Sequence, residues 1–184
     1  VGCIYIVRDP RNVISSLKNH YELDDEKALK WMTNKKQFLY DVEKVEEFGF
    51  SDFQFISSWD MNYKSWRLQK KIPLKFIKYE DLLNETFIVS KEIIKFINDV
   101  TDNKQKINID KLKNTLQSTS FTKLKNNEIK YGFSEAVNSQ KNKKNKIKFF
   151  NLGPENDWRK ILDKNLKGKL NKVFEKDLNE LLYF

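Results

Sequence analysis

Residues 3–16 read CIYIVRDPRNVISS, and this stretch is the most informative about the architecture of the chain. Its first five residues, Cys3–Val7, are apolar, β-branched or aromatic, which is typical of a strand buried on both faces of a parallel sheet. Asp9 is a favourable helix-capping residue, and Pro10 is a favourable first helical residue. The stretch therefore predicts a strand that passes directly into a helix, and the apolar spacing extends this helix to about Tyr21.

The rest of the chain continues the alternation of strand and helix. A second strand is predicted over residues 74–78, after Pro73. Apolar residues at three- and four-residue steps predict further helices over residues 24 or 25 to 47, 53–69, 86–98, 109–118, 121–126 and 166–182, with another beginning at 157. Residues 127–148 are lysine-rich and lack periodicity, so they predict a mobile basic loop. The pattern indicates a helix-rich α/β protein. Because two strands make a poor sheet core, we expect further strands from residues outside this chain.

The composition limits the class of protein. The 184 residues suit one domain, and 39% of them are apolar, which excludes a wholly disordered chain. No run approaches the ~18 consecutive apolar residues of a membrane span, and the first residues show no signal-peptide pattern. The lone Cys3 excludes an internal disulfide or a cysteine zinc cluster and favours a reducing compartment, so we expect a cytoplasmic protein. The lone His20 excludes a site with two imidazoles, and we interpret it as an ordinary helix-end histidine.

The positive charge of the chain comes almost entirely from lysine. The formal net charge is +9, and lysine supplies 31 of the 35 basic residues while arginine supplies four. The chain also contains 19 asparagines, and such a composition is typical of an A+T-rich genome. Nucleic-acid readers favour arginine for bidentate contacts, so we expect no nucleic-acid partner. A general attraction for anionic ligands is compatible with this charge.

The exit of the first strand is the first candidate site. Ligands of open α/β sheets bind beyond the carboxyl ends of the strands, where Arg8 lies. The following helix directs its free N–H groups toward the same space, and Ser16 lies ~9 Å along its axis from Pro10. A phosphate beside this helix could accept from Arg8 and Ser16. Spacing alone leaves an alternative open, in which Arg8 pairs with Asp9 and Ser16 is an ordinary helix-face serine.

The same stretch resembles the 3′-phosphate-binding segment of the sulfotransferases, the family that uses 3′-phosphoadenosine 5′-phosphosulfate (PAPS) as its sulfuryl donor. The family pattern is a strand, then Arg-Asn/Asp-Pro, then a helix with a serine eight residues after the arginine. Arg8 and Ser16 occupy these two places. The resemblance implies that both bind the 3′-phosphate of the cofactor.

Three further segments resemble the family in the family's order. Residues 76–82 (FIKYEDL) resemble a strand followed by Tyr-Glu-Asp, which implies that Tyr79 contacts adenine. Residues 118–121 (STSF) resemble a Thr-Ser-Phe segment, which implies that Thr119 bonds the adenine and that Phe121 stacks on it. Residues 149–158 (FFNLGPENDW) resemble the loop that folds over the cofactor, with a match at Gly153.

The last of these segments departs from the family pattern, which is Arg-Lys-Gly-x-x-Gly-Asp-Trp. Asn151 and Leu152 stand where the family has the Arg-Lys pair that grips the 3′-phosphate, and Asn156 replaces the second glycine. We hypothesise that Lys146 or Lys148, just upstream, supplies the missing grip.

The resemblance also implies what lies outside the chain. The family's 5′-phosphosulfate loop is glycine-rich, and the five glycines here form no such loop. We therefore expect one partial sulfotransferase domain over 1–184, with an incomplete P-loop-NTPase-like parallel sheet and the N-terminal third missing. The catalytic histidine and lysine of the family would lie upstream of Val1, so we expect no catalytic residue in this chain and no activity from it alone.

The predicted function is transfer of a sulfuryl group from PAPS to a hydroxyl or amine of a small-molecule or glycan acceptor, without a metal and without a membrane partner. The oligomeric state stays open. One alternative is a fragment of a P-loop nucleotide kinase, which needs a Walker-type loop and a magnesium-binding acid. The other is a basic α/β module that binds nucleotides or nucleic acid, whose binding would be sensitive to salt.

Overall fold

The computed structural model describes residues 1–40, 42–50, 52–142 and 144–184, with the side chains of residues 42–44 left out. Within these ranges there are four strands, and their bounds are β1 Cys3–Val7, β2 Phe38–Leu39, β3 Gln54–Phe55 and β4 Leu74–Lys78. The helices are α1 Pro10–Tyr21, α2 Asp25–Thr33, α3 Val42–Phe48, α4 Trp59–Leu68, α5 Tyr79–Asn84, α6 Thr86–Val100, α7 Ile109–Ser118, α8 Phe121–Tyr131, α9 Trp158–Ile161, α10 Lys164–Val173 and α11 Glu175–Glu180. A 3₁₀ turn spans Gly153–Glu155. The predicted helix-rich α/β class is confirmed.

The two strands predicted from the sequence form a small parallel sheet. β1 pairs with β4 in a register that places Tyr5 beside Phe76 and Val7 beside Lys78. Because the strands are parallel, both carboxyl ends lie at one edge of the sheet. The residues that follow the strands, Arg8 and Tyr79, are therefore neighbours.

The turn from β1 into α1 follows the sequence pattern. The carboxylate of Asp9 accepts the backbone N–H of Arg11 at 2.9 Å and caps the helix, and Pro10 is the first helical residue. The helix ends at Tyr21, where Glu22 adopts a left-handed backbone with φ of 50°. One face of α1 enters the core through Ile14, which is fully buried.

The C-terminal tail completes the core. Val7, Ile14 and Tyr63 belong to the same buried cluster as the tail, whose members are Leu162, Leu166, Leu170, Phe174, Leu178, Leu181 and Tyr183. The tail was predicted as one helix over 166–182. It forms α10 and α11 instead, because the helix is interrupted at Phe174, whose ring is buried in the core.

The region between α2 and α4 differs from the prediction. The long helix predicted to residue 47 is wrong, because α2 ends at Thr33 and the chain then forms β2. The helix predicted from residue 53 begins only at Trp59, because β3 pairs antiparallel with β2. Backbone pairing and stacking of Phe38 on Phe53, with ring centroids 4.9 Å apart, therefore override the helical spacing of these residues.

The predicted loop over 127–148 is partly helical. Helix α8 continues to Tyr131, five residues beyond its predicted end. The following chain forms a narrow antiparallel bridge between Asn138 and Lys146, and the carboxylate of Glu22 accepts the backbone N–H of Gln140 at 2.6 Å. In the described part of the chain, every helix is too short or too polar to cross a bilayer.

Candidate functional site

A cavity of about 550 Å³ lies at the carboxyl ends of β1 and β4. We call it the larger cavity. Its walls come from the exits of both strands, from α1, from the start of α8, and from a loop of residues 149–153, called here the covering loop. Five of the six residues predicted to bind the cofactor line it, namely Arg8, Ser16, Tyr79, Phe121 and Gly153. The fold thus brings together residues that are up to 145 positions apart in the chain.

Arg8 supplies the permanent charge of the larger cavity. Its guanidinium carbon lies 4.1 Å from the centroid of the Tyr79 ring, a cation–π contact. Nη2 makes a long hydrogen bond of 3.4 Å to the carbonyl of Gly153, and the buried Nε has no partner among the described residues. Among the described lining residues the other titratable cation is His20, whose pKa is lowered by burial. Its imidazole is therefore neutral at neutral pH.

A second arginine explains why Arg8 is not paired with Asp9. The Asp9 carboxylate is held by Arg11, whose Nε and Nη2 donate to it at 2.9 and 2.7 Å. Arg11 also donates to Asn171 at 3.1 Å and to the carbonyl of Tyr183 at 2.6 Å, and it is 2% exposed. This network anchors the C-terminal tail to the first turn of α1. The sequence analysis missed the role of Arg11. The available indication was its position three residues before Ile14, on the face of α1 that is buried.

Two consecutive serines present hydroxyls along α1. Ser16 is exposed, and its Oγ accepts a hydrogen bond of 3.2 Å from the side chain of Asn156. Ser15 also lines the larger cavity, and its buried Oγ finds no hydrogen-bond partner within the residues that the structure describes. Asn156 donates in addition to the carbonyl of Asn12, so this asparagine ties the segment that follows the covering loop to α1. The sequence analysis identified Ser16 and missed Ser15.

Gly153 is held against the Phe121 ring in a conformation that suits only glycine. Its φ is +54°, which lies in the left-handed region. A Cβ built on this residue would lie 2.3 Å from two ring carbons of Phe121. Any side chain here would therefore displace either the phenylalanine or the covering loop.

The sixth predicted residue, Thr119, lies outside the lining of the larger cavity. Its exposed hydroxyl donates to the carbonyl of Thr115 at 2.8 Å, at the end of α7. The two lysines proposed to replace the Arg-Lys pair, Lys146 and Lys148, are exposed and also lie outside the lining. The backbone carbonyl of Lys148 accepts a long bond of 3.5 Å from Asn19, a residue that does line the cavity.

A second cavity of about 310 Å³, called here the smaller cavity, shares part of α1 with the larger one. Both cavities are lined by Val13, Leu17 and Tyr21, so α1 forms part of the wall of each. The remaining walls of the smaller cavity are mainly aromatic and aliphatic, and the buried indole nitrogen of Trp31 has no partner among the described residues. Burial raises the pKa of the lining Tyr5 to about 12, so this phenol is neutral.

Comparisons with known proteins agree with this arrangement. The model of the sulfotransferase domain family matches residues 2–181. Among solved structures, the chain is similar to mouse sulfotransferase SULT7A1 complexed with PAP, with a TM-score of 0.63 and 18% sequence identity. That similarity covers 96% of this chain and 58% of the mouse chain, so this chain spans little more than half the length of that relative. No curated protein sequence gives a significant match. The chain belongs to the sulfotransferase domain family.

Proposed function

We propose that the larger cavity binds the adenosine 3′-phosphate portion of PAPS. The observation that carries this proposal is a pair of buried polar atoms beside the cavity, Nε of Arg8 and Oγ of Ser15, that have no hydrogen-bond partner in the described part of the chain. Buried polar atoms in folded proteins almost always have partners, so unpartnered ones beside a cavity are typical of groups that await a ligand. A phosphate supplies the acceptors that both atoms lack.

The aromatic residues suit the adenine end of such a ligand. Tyr79 and Phe121 both line the cavity, and stacking on an aromatic ring contributes about 1–3 kcal/mol per base. The volume of about 550 Å³ lies within the range of small-molecule sites, about 300–1,000 Å³. Arg8 and both serines of α1 would hold the 3′-phosphate. Thr119 would approach the base only if the end of α7 moves toward it.

We further propose that this chain is the nucleotide-binding part of a longer sulfotransferase domain with a P-loop-NTPase-like sheet. The span of 58% of the mouse chain supports this proposal. So does the sheet face on which Ile4 and Ile6 lie, because these apolar side chains are 36% and 46% exposed there. In the complete domain, an acceptor oxygen or nitrogen attacks sulfur while the bond between sulfur and the 5′-phosphate oxygen breaks. The acceptor proton passes to a base, and adenosine 3′,5′-bisphosphate (PAP) leaves.

The base and the cation at the leaving oxygen would come from residues outside this chain. His20 packs edge-on against Tyr21 at 4.6 Å and against Phe149 at 6.2 Å, so its ring serves the cavity wall. We therefore expect the 184-residue chain alone to transfer no sulfuryl group. Transfer from PAPS by the purified chain would overturn this part of the proposal.

The lining of the smaller cavity suits a small, largely apolar acceptor better than a glycan. A glycan needs many polar partners, whereas the polar side chains of Tyr5 and Asn62 in this wall already bond each other at 2.6 Å. We propose a small, largely apolar hydroxyl compound as the acceptor. Its hydroxyl would reach the donor along the α1 residues that the two cavities share.

Calorimetric titration of the chain with PAP and with adenosine 5′-phosphate tests the nucleotide proposal. We expect PAP to bind at least tenfold more tightly, since only PAP carries the 3′-phosphate. Equal affinities, or no binding of either compound, would contradict the proposal. The nucleic-acid alternative predicts the opposite result, which is salt-sensitive binding to an oligonucleotide that PAP does not displace.

A further inference from the structure

Helix α8 attaches to the covering loop through three side chains on one face. The most buried of these is Glu128, which is 7% exposed. Its two carboxylate oxygens accept the backbone N–H groups of Phe149 and Phe150 at 2.6 and 2.9 Å. One turn earlier, Lys125 donates to the carbonyl of Asn151 at 2.8 Å.

The third attachment is the contact between Phe121 and Gly153 at the cavity itself. The loop therefore runs antiparallel to α8, and each step along the loop meets an earlier turn of the helix. One helix thus supplies both the aromatic ring that faces the ligand and the attachments that hold the opposite wall.

The covering loop has no cationic side chain with which to hold a phosphate. Asn151 and Leu152 are uncharged, and both line the larger cavity together with Gly153. A loop with an Arg-Lys pair could be drawn into place by the phosphate, whereas this loop needs attachments within the protein.

We propose that Glu128 and Lys125 are positioning residues that hold the covering loop in its ligand-binding conformation before the ligand arrives. This inference rests on the proposed function of the larger cavity. Neither residue lines that cavity, so both act through the loop backbone. A loop ordered in advance spares the ligand the cost of ordering it, and this raises affinity without a new contact.

Amide hydrogen exchange of the 184-residue chain, read by mass spectrometry at residues 149–151, tests the attachment without any ligand. We expect slow exchange in the unmodified chain. Glu128→Gln should accelerate exchange there about tenfold, because the amide keeps one acceptor oxygen and turns an N–H donor toward the other backbone N–H. Exchange in β1 and β4 should stay unchanged. The controls are Asn127→Ala and Lys123→Met, which alter exposed positions of the same helix.

Addition of PAP separates a positioning role from a merely structural one. In Glu128→Gln, saturating PAP should restore slow exchange, and its Kd should be about tenfold weaker, the value of one charge-assisted hydrogen bond. Lys125→Met should weaken PAP several-fold, whereas Lys123→Met should leave its Kd unchanged. If Glu128→Gln fails to fold, the lysine pair decides the question.

Two outcomes overturn the inference. One is equal exchange at residues 149–151 in the variants and the unmodified chain, and the other is accelerated exchange there while PAP binds with unchanged Kd. A different result, in which the unmodified chain does not bind PAP at all, refutes the proposed function. In that case unchanged exchange in Glu128→Gln still refutes the attachment, and accelerated exchange supports it.

Discussion

Two arginines three residues apart, Arg8 and Arg11, have opposite surroundings. Arg11 is buried, and its guanidinium is shared among Asp9, Asn171 and the carbonyl of Tyr183. Arg8 makes one long hydrogen bond of 3.4 Å, stacks on Tyr79, and keeps an unpartnered Nε beside the larger cavity. The guanidinium of Arg11 is therefore bound within the protein, whereas that of Arg8 is available to a ligand.

In the strand-to-helix turn, Arg11 has a structural role and Arg8 is left for ligand binding. Asp9 is the one carboxylate close to both arginines in sequence, and its two oxygens are occupied by Arg11. Because both oxygens of Asp9 bond Arg11, Arg8 makes no ion pair among the described residues at the carboxyl edge of the sheet, where the carboxylate of Glu80 accepts the backbone N–H of Asp9 at 3.2 Å. We therefore expect substitutions of Arg11 to change the stability of the protein and substitutions of Arg8 to change ligand binding.

The largest effect should come from Arg11→Met. Removing one member of a buried ion pair leaves Asp9 charged and unpaired, so we expect the free energy of unfolding to fall by about 3–5 kcal/mol in urea titrations. Arg159→Met is the control, because Arg159 is exposed and its nearest carboxylate contact is 3.8 Å. A loss below about 1 kcal/mol for Arg11→Met would show that the network does not anchor the tail.

Arg8→Met should weaken PAP binding and leave stability nearly unchanged, which is the reverse of the effect expected for Arg11→Met. We expect PAP to bind about 10–100-fold more weakly, since a charge-assisted contact contributes about 1.5–3 kcal/mol. The urea midpoint should change little, because the single protein hydrogen bond of Arg8 is long. Arg8→Lys keeps the charge and loses the forked geometry, so its Kd should lie between the two. Unchanged PAP affinity in Arg8→Met would remove the central contact from the proposal.

Gly153→Ala tests the contact between the covering loop and Phe121. The positive φ costs about 1–2 kcal/mol for an L-residue, and the new methyl would overlap the phenylalanine ring. We expect PAP affinity to fall about tenfold in calorimetry. The matched control is Gly168→Ala on α10, where a Cβ meets no atom within 4 Å. That change should leave binding intact and raise stability by about 0.5–1 kcal/mol.

The smallest effect is expected for the double variant Lys146→Ala and Lys148→Ala. Both side chains are exposed, so a contribution to phosphate binding would act through solvent and should change the Kd of PAP two- to threefold at low salt. Equal affinity in the double variant and the unmodified chain would reject the hypothesis that these lysines replace the Arg-Lys pair.

Local patterns in the sequence were sufficient for much of the site. The strand, the capping Asp9 and Pro10 placed Arg8 and Ser16 correctly on a turn and a helix, because these features depend on neighbours within a few residues. The sequence also indicated that β1 belongs to a parallel sheet, whose ligands bind at the carboxyl ends of the strands. The structure adds the pairing of β1 with β4, which brings Tyr79 beside Arg8.

Other features depend on partners distant in the chain and were therefore missed or misjudged. The helix predicted to residue 47 fails because β2 and β3 pair with each other. Ser15 emerges as a lining residue only through the rotation of α1 against its neighbours. The attachment of Glu128 to Phe149 and Phe150 joins residues 21 and 22 positions apart, and an isolated glutamate in a helix carries no signal of such a role.

The sequence alone determined the α/β class, the strand-to-helix turn at Arg8 and the four segments that resemble the sulfotransferases, since propensity, capping and motif spacing are local. The contacts made on folding show which arginine and which serine keep a polar atom without a partner among the described residues. They also show that Thr119 bonds its own helix while five other predicted residues line one cavity. The physical reason is that hydrogen-bond satisfaction is a competition among all neighbours in space, and only the folded chain defines those neighbours.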